Sequence, residues 1–152
     1  MENFVSFELA KLLKEKGFDI PVLSYYFGDR FCLNYSVINQ YSQEYIEDKG
    51  ECLRIPYTSG EGNLYLETIN FNSWGITNYS APTIAEVVMW LYTKHKIWVV
   101  VNVGKPHNSE IMFYANVIKL GLHHKNKHRT EFHNTPTEAY EAAIKHTLKN
   151  LL

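Results

Sequence analysis

A chain of 152 residues is the size of one domain and can bury a proper core. With 45% hydrophobic and 20% charged residues it has a globular composition, which excludes a disordered polyelectrolyte. The net charge of -1 argues against a surface given over to membrane or to extended nucleic-acid binding, and leaves any such role to a local patch.

No apolar run approaches the roughly 20 residues of a membrane span. Met1-Glu2-Asn3-Phe4 opens no signal peptide, so a cytoplasmic protein is expected. Cys32 and Cys52 form no CxxC motif and imply no disulfide framework; they read as small buried hydrophobes. The unusual feature is aromatic content, 14%, with 11 Tyr, 8 Phe and 3 Trp. Such residues fill core edges, and they also build stacking sites and protein interfaces.

The spacing of Val5, Leu9, Leu12 and Leu13 predicts a first helix over Phe7–Lys16, with Ser6 as N-cap and Gly17 at its end. Val22–Phe27 and Phe31–Val37 then read as a β-hairpin turning at Gly28-Asp29. The polar segment Ile38–Gly50 reads as a loop or an irregular helical turn. Cys52–Tyr57 reads as a short edge strand, because Pro56 cannot donate to a central ladder. Glycines and asparagines break up Ser59–Ser80, within which Leu64–Phe71 fits one more strand.

Ala81–Leu120 is the most strongly patterned stretch. Thr83-x-x-Glu86 is a capping box, and Ile84, Val87, Val88, Leu91 and His95 make a helical stripe over Pro82–His95. The strand Ile97–Val103 is almost wholly apolar, as is Ile111–Leu120, so both are expected to be buried on both faces, with Trp90 and Trp98 in the core. A basic, histidine-rich linker follows, Gly121–Asn134. Thr135-Pro136-Thr137-Glu138 opens the last helix with a second capping box. The whole predicts a single α+β domain over residues 1–152, a mostly antiparallel sheet of about four to five strands packed by three helices.

Three stretches carry a resemblance: Phe4–Phe18, Tyr79–Thr83 leading into Trp90-Leu91, and Thr137–Ile144. Together they resemble a group of small proteins, without assigned activity, from Bacteroidetes genomes, their phages and other mobile elements. The matching motifs are helix caps and amphipathic helices, which specify fold more than chemistry. The resemblance implies a bacterial host cytoplasm and an accessory role, and it carries over no site residue.

Two clusters bear on chemistry. His123, His124, His128 and His133 surround Glu131, and His124, His128 and His133 could hold zinc or another divalent metal. Against this, HExxH is absent and the segment reads as a solvated loop. The same linker carries Lys119, Lys125, Lys127 and Arg129, which suit phosphates or simply face water. Trp74 and Tyr79 in the preceding loop offer stacking surface, and Lys105 and His107 sit at the hairpin turn. No P-loop, nucleophile elbow or dinucleotide fingerprint is present.

Two functions compete on these residues. One is a non-enzymatic accessory binding protein that captures a protein partner or a nucleotide-like ligand through Trp74, Tyr79, Lys105, His107, Lys125 and Arg129. The other is a metal-dependent hydrolase or nuclease built on the His123–His133 cluster. The absence of any catalytic constellation favours the first. A strand edge near Pro56 and spare tyrosines permit a homodimer without requiring one.

Overall fold

The computed structural model describes residues 4–33, 35–37, 43–48, 51–56, 64–66, 68–73, 75–106, 110–121 and 127–152. The chain has a mixed α+β fold with three helices and divides into two compact units. One is Ser6–Pro82, here the N-terminal unit. The other joins Met1–Val5 to Thr83–Leu152, here the C-terminal unit.

The N-terminal unit opens with α1 (Phe7–Glu15), whose buried stripe is Leu9, Ala10 and Leu13. Ser6 holds the N-cap position, yet its side chain makes no capping hydrogen bond. Gly17, at φ 75°, takes the left-handed turn that ends the helix. The expected hairpin forms from β1 (Ser24–Phe27) and β2 (Arg30–Leu33), with Gly28 at φ 60°. β3 (Tyr35–Val37) then leaves that ladder and pairs with β6 (Leu64–Leu66). Two readings fail between them. The polar stretch expected to be a loop contains β4 (Gln43–Asp48), paired antiparallel with β5 (Glu51–Pro56). A strand at the margin of a sheet tolerates that polarity, which is why hydropathy hides it.

β5 is an interior strand rather than an edge, because its first half also pairs in parallel with β2. Pro56 is accommodated because it stands at the strand's last residue, past the Cys52 and Leu53 positions that face β2. That register sets Cys32 opposite Cys52. A 3₁₀ turn (Phe71–Ser73) and β7 (Asn78–Ser80) complete the unit, and β7 pairs with β1. The single predicted strand over Leu64–Phe71 is thus β6 followed by a bridge at Ile69 and the turn. The sheet order is β4-β5-β2-β1-β7.

The C-terminal unit holds α2 (Ile84–His95), β8 (Ile97–Gly104), β9 (Met112–Lys119), β10 (Lys127–Arg129) and α3 (Pro136–Asn150). Both predicted capping boxes are present. The Glu86 amide donates to Thr83 Oγ1 at 3.3 Å while the Thr83 amide donates to Glu86 Oε2 at 2.6 Å. The Thr135–Glu138 box has the same form. Lys96, at φ 57°, turns α2 straight into β8 in one residue.

The single sheet of four to five strands is corrected here. β1 is flanked by β2 and β7, so β8 and β9 build a separate sheet, ordered β10-β9-β8. The basic linker is corrected with it, since Lys127–Arg129 is the third strand rather than loop. The expectation that β8 and β9 are buried on both faces also fails. Ile97, Val99, Ala115 and Val117 are buried where α3 packs with its Ala143, Ile144 and Leu148 stripe. Trp98 points the other way and is 37% exposed, whereas Trp90 is core at 1%.

Leu148 is fully buried in that seam. Leu148→Ala is expected to lower the unfolding free energy by about 2–5 kcal/mol, against roughly 0.5 kcal/mol or less for exposed Met89→Ala. Denaturant titration checks this, and equal losses would contradict the burial pattern.

Candidate functional site

The register of the three-stranded sheet sorts its residues into two faces. Trp98, Ile118 and Lys127 share one cross-strand row; Val100, Asn116 and Arg129 share another. Asn102 with Tyr114 makes a third row, and Gly104 with Met112 a fourth. All four rows lie on the face turned away from α3. None of these residues is buried, and none is acidic.

An extra residue in the chain after β10 shapes this face. Thr130 stays opposite Ala115: its amide donates to the Ala115 carbonyl at 2.9 Å, and its Oγ1 accepts from the Ala115 amide at 2.8 Å. His133 pairs through both backbone groups with Phe113. Two residues, Glu131 and Phe132, therefore stand against Tyr114 alone. Arg129 and Phe132 are three apart, which in a regular strand puts them on opposite faces. The bulge brings both onto the same one.

The result is a stacked cluster. The Arg129 guanidinium carbon lies 3.9 Å from the Tyr114 ring centroid and 5.0 Å from that of Phe132. The two rings meet edge to face at 5.4 Å. Gly104 lets Phe132 lie against the β8 backbone, because a Cβ there would sit 2.6 Å from Phe132 Cε1. Arg129 is exposed, and among the described residues it pairs with no carboxylate. At the far end of the face, Trp98 makes a T-shaped contact with Tyr92 at 5.3 Å.

On the opposite face His128 stacks on His146 of α3, with ring centroids 3.5 Å apart and planes within 4°. His128 is therefore turned away from Lys127 and Arg129, toward the helix. Among the described residues no three His, Cys, Asp or Glu side chains form a group that could hold a metal ion. His123 and His124 lie outside the described residues.

The other predicted binding residues divide between the units. Lys105 follows Gly104 at the end of the aromatic face. Trp74, His107 and Lys125 lie outside the described residues. Tyr79 belongs to the N-terminal unit, where it lines an open recess of about 480 Å³ with Lys11, Lys14, Asn72, Ser73 and Ile76. Lys14 is already engaged there. Its ammonium donates to the carbonyls of Gly75 and, at 2.7 Å, of Asn78, and burial pulls its pKa below the ordinary lysine value. Lys11 pairs with Glu8 at 2.7 Å. The recess is a brace for the 75–78 turn rather than a site with cations to spare.

Charge separates the units in the same sense. The C-terminal unit carries nine Lys or Arg against six Asp or Glu, together with all seven histidines. The N-terminal unit carries six against ten. The chain's -1 is thus the residue of +3 and -4. Trp98 and Tyr114 were missed as site residues because their sequence surroundings are those of core strands, and Phe132 because it lies in a linker read for its charges. Comparison with family models, curated proteins and solved structures returns no match to this chain. No helix among the described residues is long and apolar enough to cross a membrane.

Burial, and then the neighbouring His128, hold the His146 imidazole below its ordinary 6.5. The folded chain therefore binds fewer protons than the unfolded one just below that value, so this contribution is full above pH 6.5 and is lost as pH falls from there. Calorimetry is expected to show a steeper loss of Tm from pH 7.5 to 5.5 for the native chain than for His146→Gln. Parallel losses would show that the stacked pair does not couple to folding.

Proposed function

We propose that this chain is a non-enzymatic binding protein whose aromatic sheet face captures a nucleotide-like ligand. Arg129 is the observation that carries this reading: an exposed guanidinium lying on Tyr114 and Phe132, with no carboxylate partner among the described residues. A guanidinium stacked on a ring keeps its N–H donors in plane, where they suit the two oxygens of a phosphate. Its upper surface, and the rings around it, suit a flat heterocycle. Lys127 and Lys105 add positive charge along the face, and Asn102 and Asn116 supply amides that can both donate and accept. Nothing in this set is arranged as a nucleophile with its base. The resemblance to proteins of phages and mobile elements adds a setting, that of an accessory factor in a bacterial host.

Calorimetric titration with ATP, AMP and adenosine tests the reading. The expected order is ATP over AMP over adenosine, since each added phosphate meets the cations. Arg129→Ala is expected to weaken AMP binding roughly tenfold, and Arg129→Lys to recover only part of it, because lysine keeps the charge without the planar fork. Failure of all three ligands to bind at millimolar concentration overturns the reading, as does an Arg129→Ala variant that binds unchanged.

A further inference from the structure

We infer that the ligand of this face is a short single strand of nucleic acid, spanning from Tyr114 to Trp98, rather than a lone nucleotide. The inference rests on the nucleotide reading above and deepens it.

Trp98 is the reason. It has the alternation and neighbours of a core residue, yet it stands on the outward face and is 37% exposed. Its T-shaped contact with Tyr92 braces the ring without covering both of its sides. Trp98 and the Tyr114 row are separated by four residues of β8, from Trp98 to Asn102. At the strand's rise this is about 13 Å. A stacked strand advances about 3.4 Å per nucleotide, so one base cannot reach both aromatic positions and an oligonucleotide can.

The cations repeat with the aromatics. Lys127 lies in the Trp98 row, and Arg129 lies in the next row on the same face, over Tyr114. Each stacking position therefore has its own positive charge one or two strands away, as a ligand with a phosphate between successive bases requires. The paired residues of the four rows carry no carboxylate, although Glu131 stands exposed in the bulge against Tyr114. The +3 charge of this unit favours a polyanion. The face is three strands wide and eight residues long, which limits the contact to a few nucleotides. That limit agrees with a whole-chain charge too low for extended duplex binding.

The test compares fluorescein-labelled uridine and thymidine tetranucleotides with the corresponding labelled mononucleotides by anisotropy. The tetranucleotide is expected to bind at least roughly tenfold tighter, in the range of one added aromatic–base stack. Trp98→Ala is expected to remove that gain in affinity with length, and Trp98→Phe to retain most of it. With two phosphate contacts the logarithmic salt slope is expected near about -1.4, falling by about 0.7 in Lys127→Ala. Preference for the uridine or the thymidine series reports on the 2′-hydroxyl and the C5-methyl together, and either preference supports the inference. Equal affinity for mononucleotide and tetranucleotide overturns it while the nucleotide reading stands. A folded Trp98→Ala variant that keeps the length dependence also overturns it. Failure of every mononucleotide and tetranucleotide to bind overturns both.

Discussion

The C-terminal unit depends on one constraint: the strict two-residue alternation of the β8–β9 ladder. Eight cross-strand pairs from Ile97↔Lys119 to Gly104↔Met112 fix which side chains face α3. A one-residue slip of β8 would send Ile97 and Val99 to the outside and bring Trp98 against the helix, and one of β9 would exchange Ala115 and Val117 for Tyr114 and Asn116. The burial of those four small or branched residues therefore specifies the register. The register in turn places every residue of the aromatic face. The proposed site is the reverse side of the core, and neither can be moved without the other.

The bulge after β10 is the second determinant. Thr130 replaces part of the ladder with its own hydroxyl, and His133 restores it opposite Phe113. Between them the chain gains one residue. This converts Arg129 and Phe132 from residues of opposite parity into neighbours around Tyr114. Gly104 completes the arrangement by offering a backbone with no side chain beneath Phe132. The cation is thus held by packing, worth about 0.5–1 kcal/mol at an exposed site, instead of by a carboxylate. Its charge has no carboxylate partner among the described residues.

The helices were legible in the sequence because their signals are local. Thr83-x-x-Glu86 and Thr135-x-x-Glu138 each state a helix start in four residues, and both boxes form. The first hairpin was legible for the same reason, through Gly28-Asp29. The rest depends on pairing between distant segments. β4 looks like loop because Gln43, Glu44, Glu47 and Asp48 are polar, and only its pairing with β5 makes it a strand. β8 looks buried on both faces because valines fill both. One side meets α3 while the other does not, and hydropathy cannot say which. Arg129 was legible as a candidate from its basic surroundings. Its partners Tyr114 and Phe132, and the second position at Trp98, were not, since cross-strand register and a bulge bring them together. The net charge misled in the same way, averaging a basic unit with an acidic one.

Ligand contact is proposed to be confined to the outward face of the β10-β9-β8 sheet. Backbone amide and indole NMR shifts of the isotope-labelled protein, titrated with a uridine tetranucleotide, test it most directly. The largest changes are expected on Trp98, Asn102, Tyr114, Asn116, Lys127 and Arg129, with the Trp98 indole shifted and the buried Trp90 indole unmoved. Shifts centred instead on the Lys14–Tyr79 recess of the N-terminal unit would contradict it.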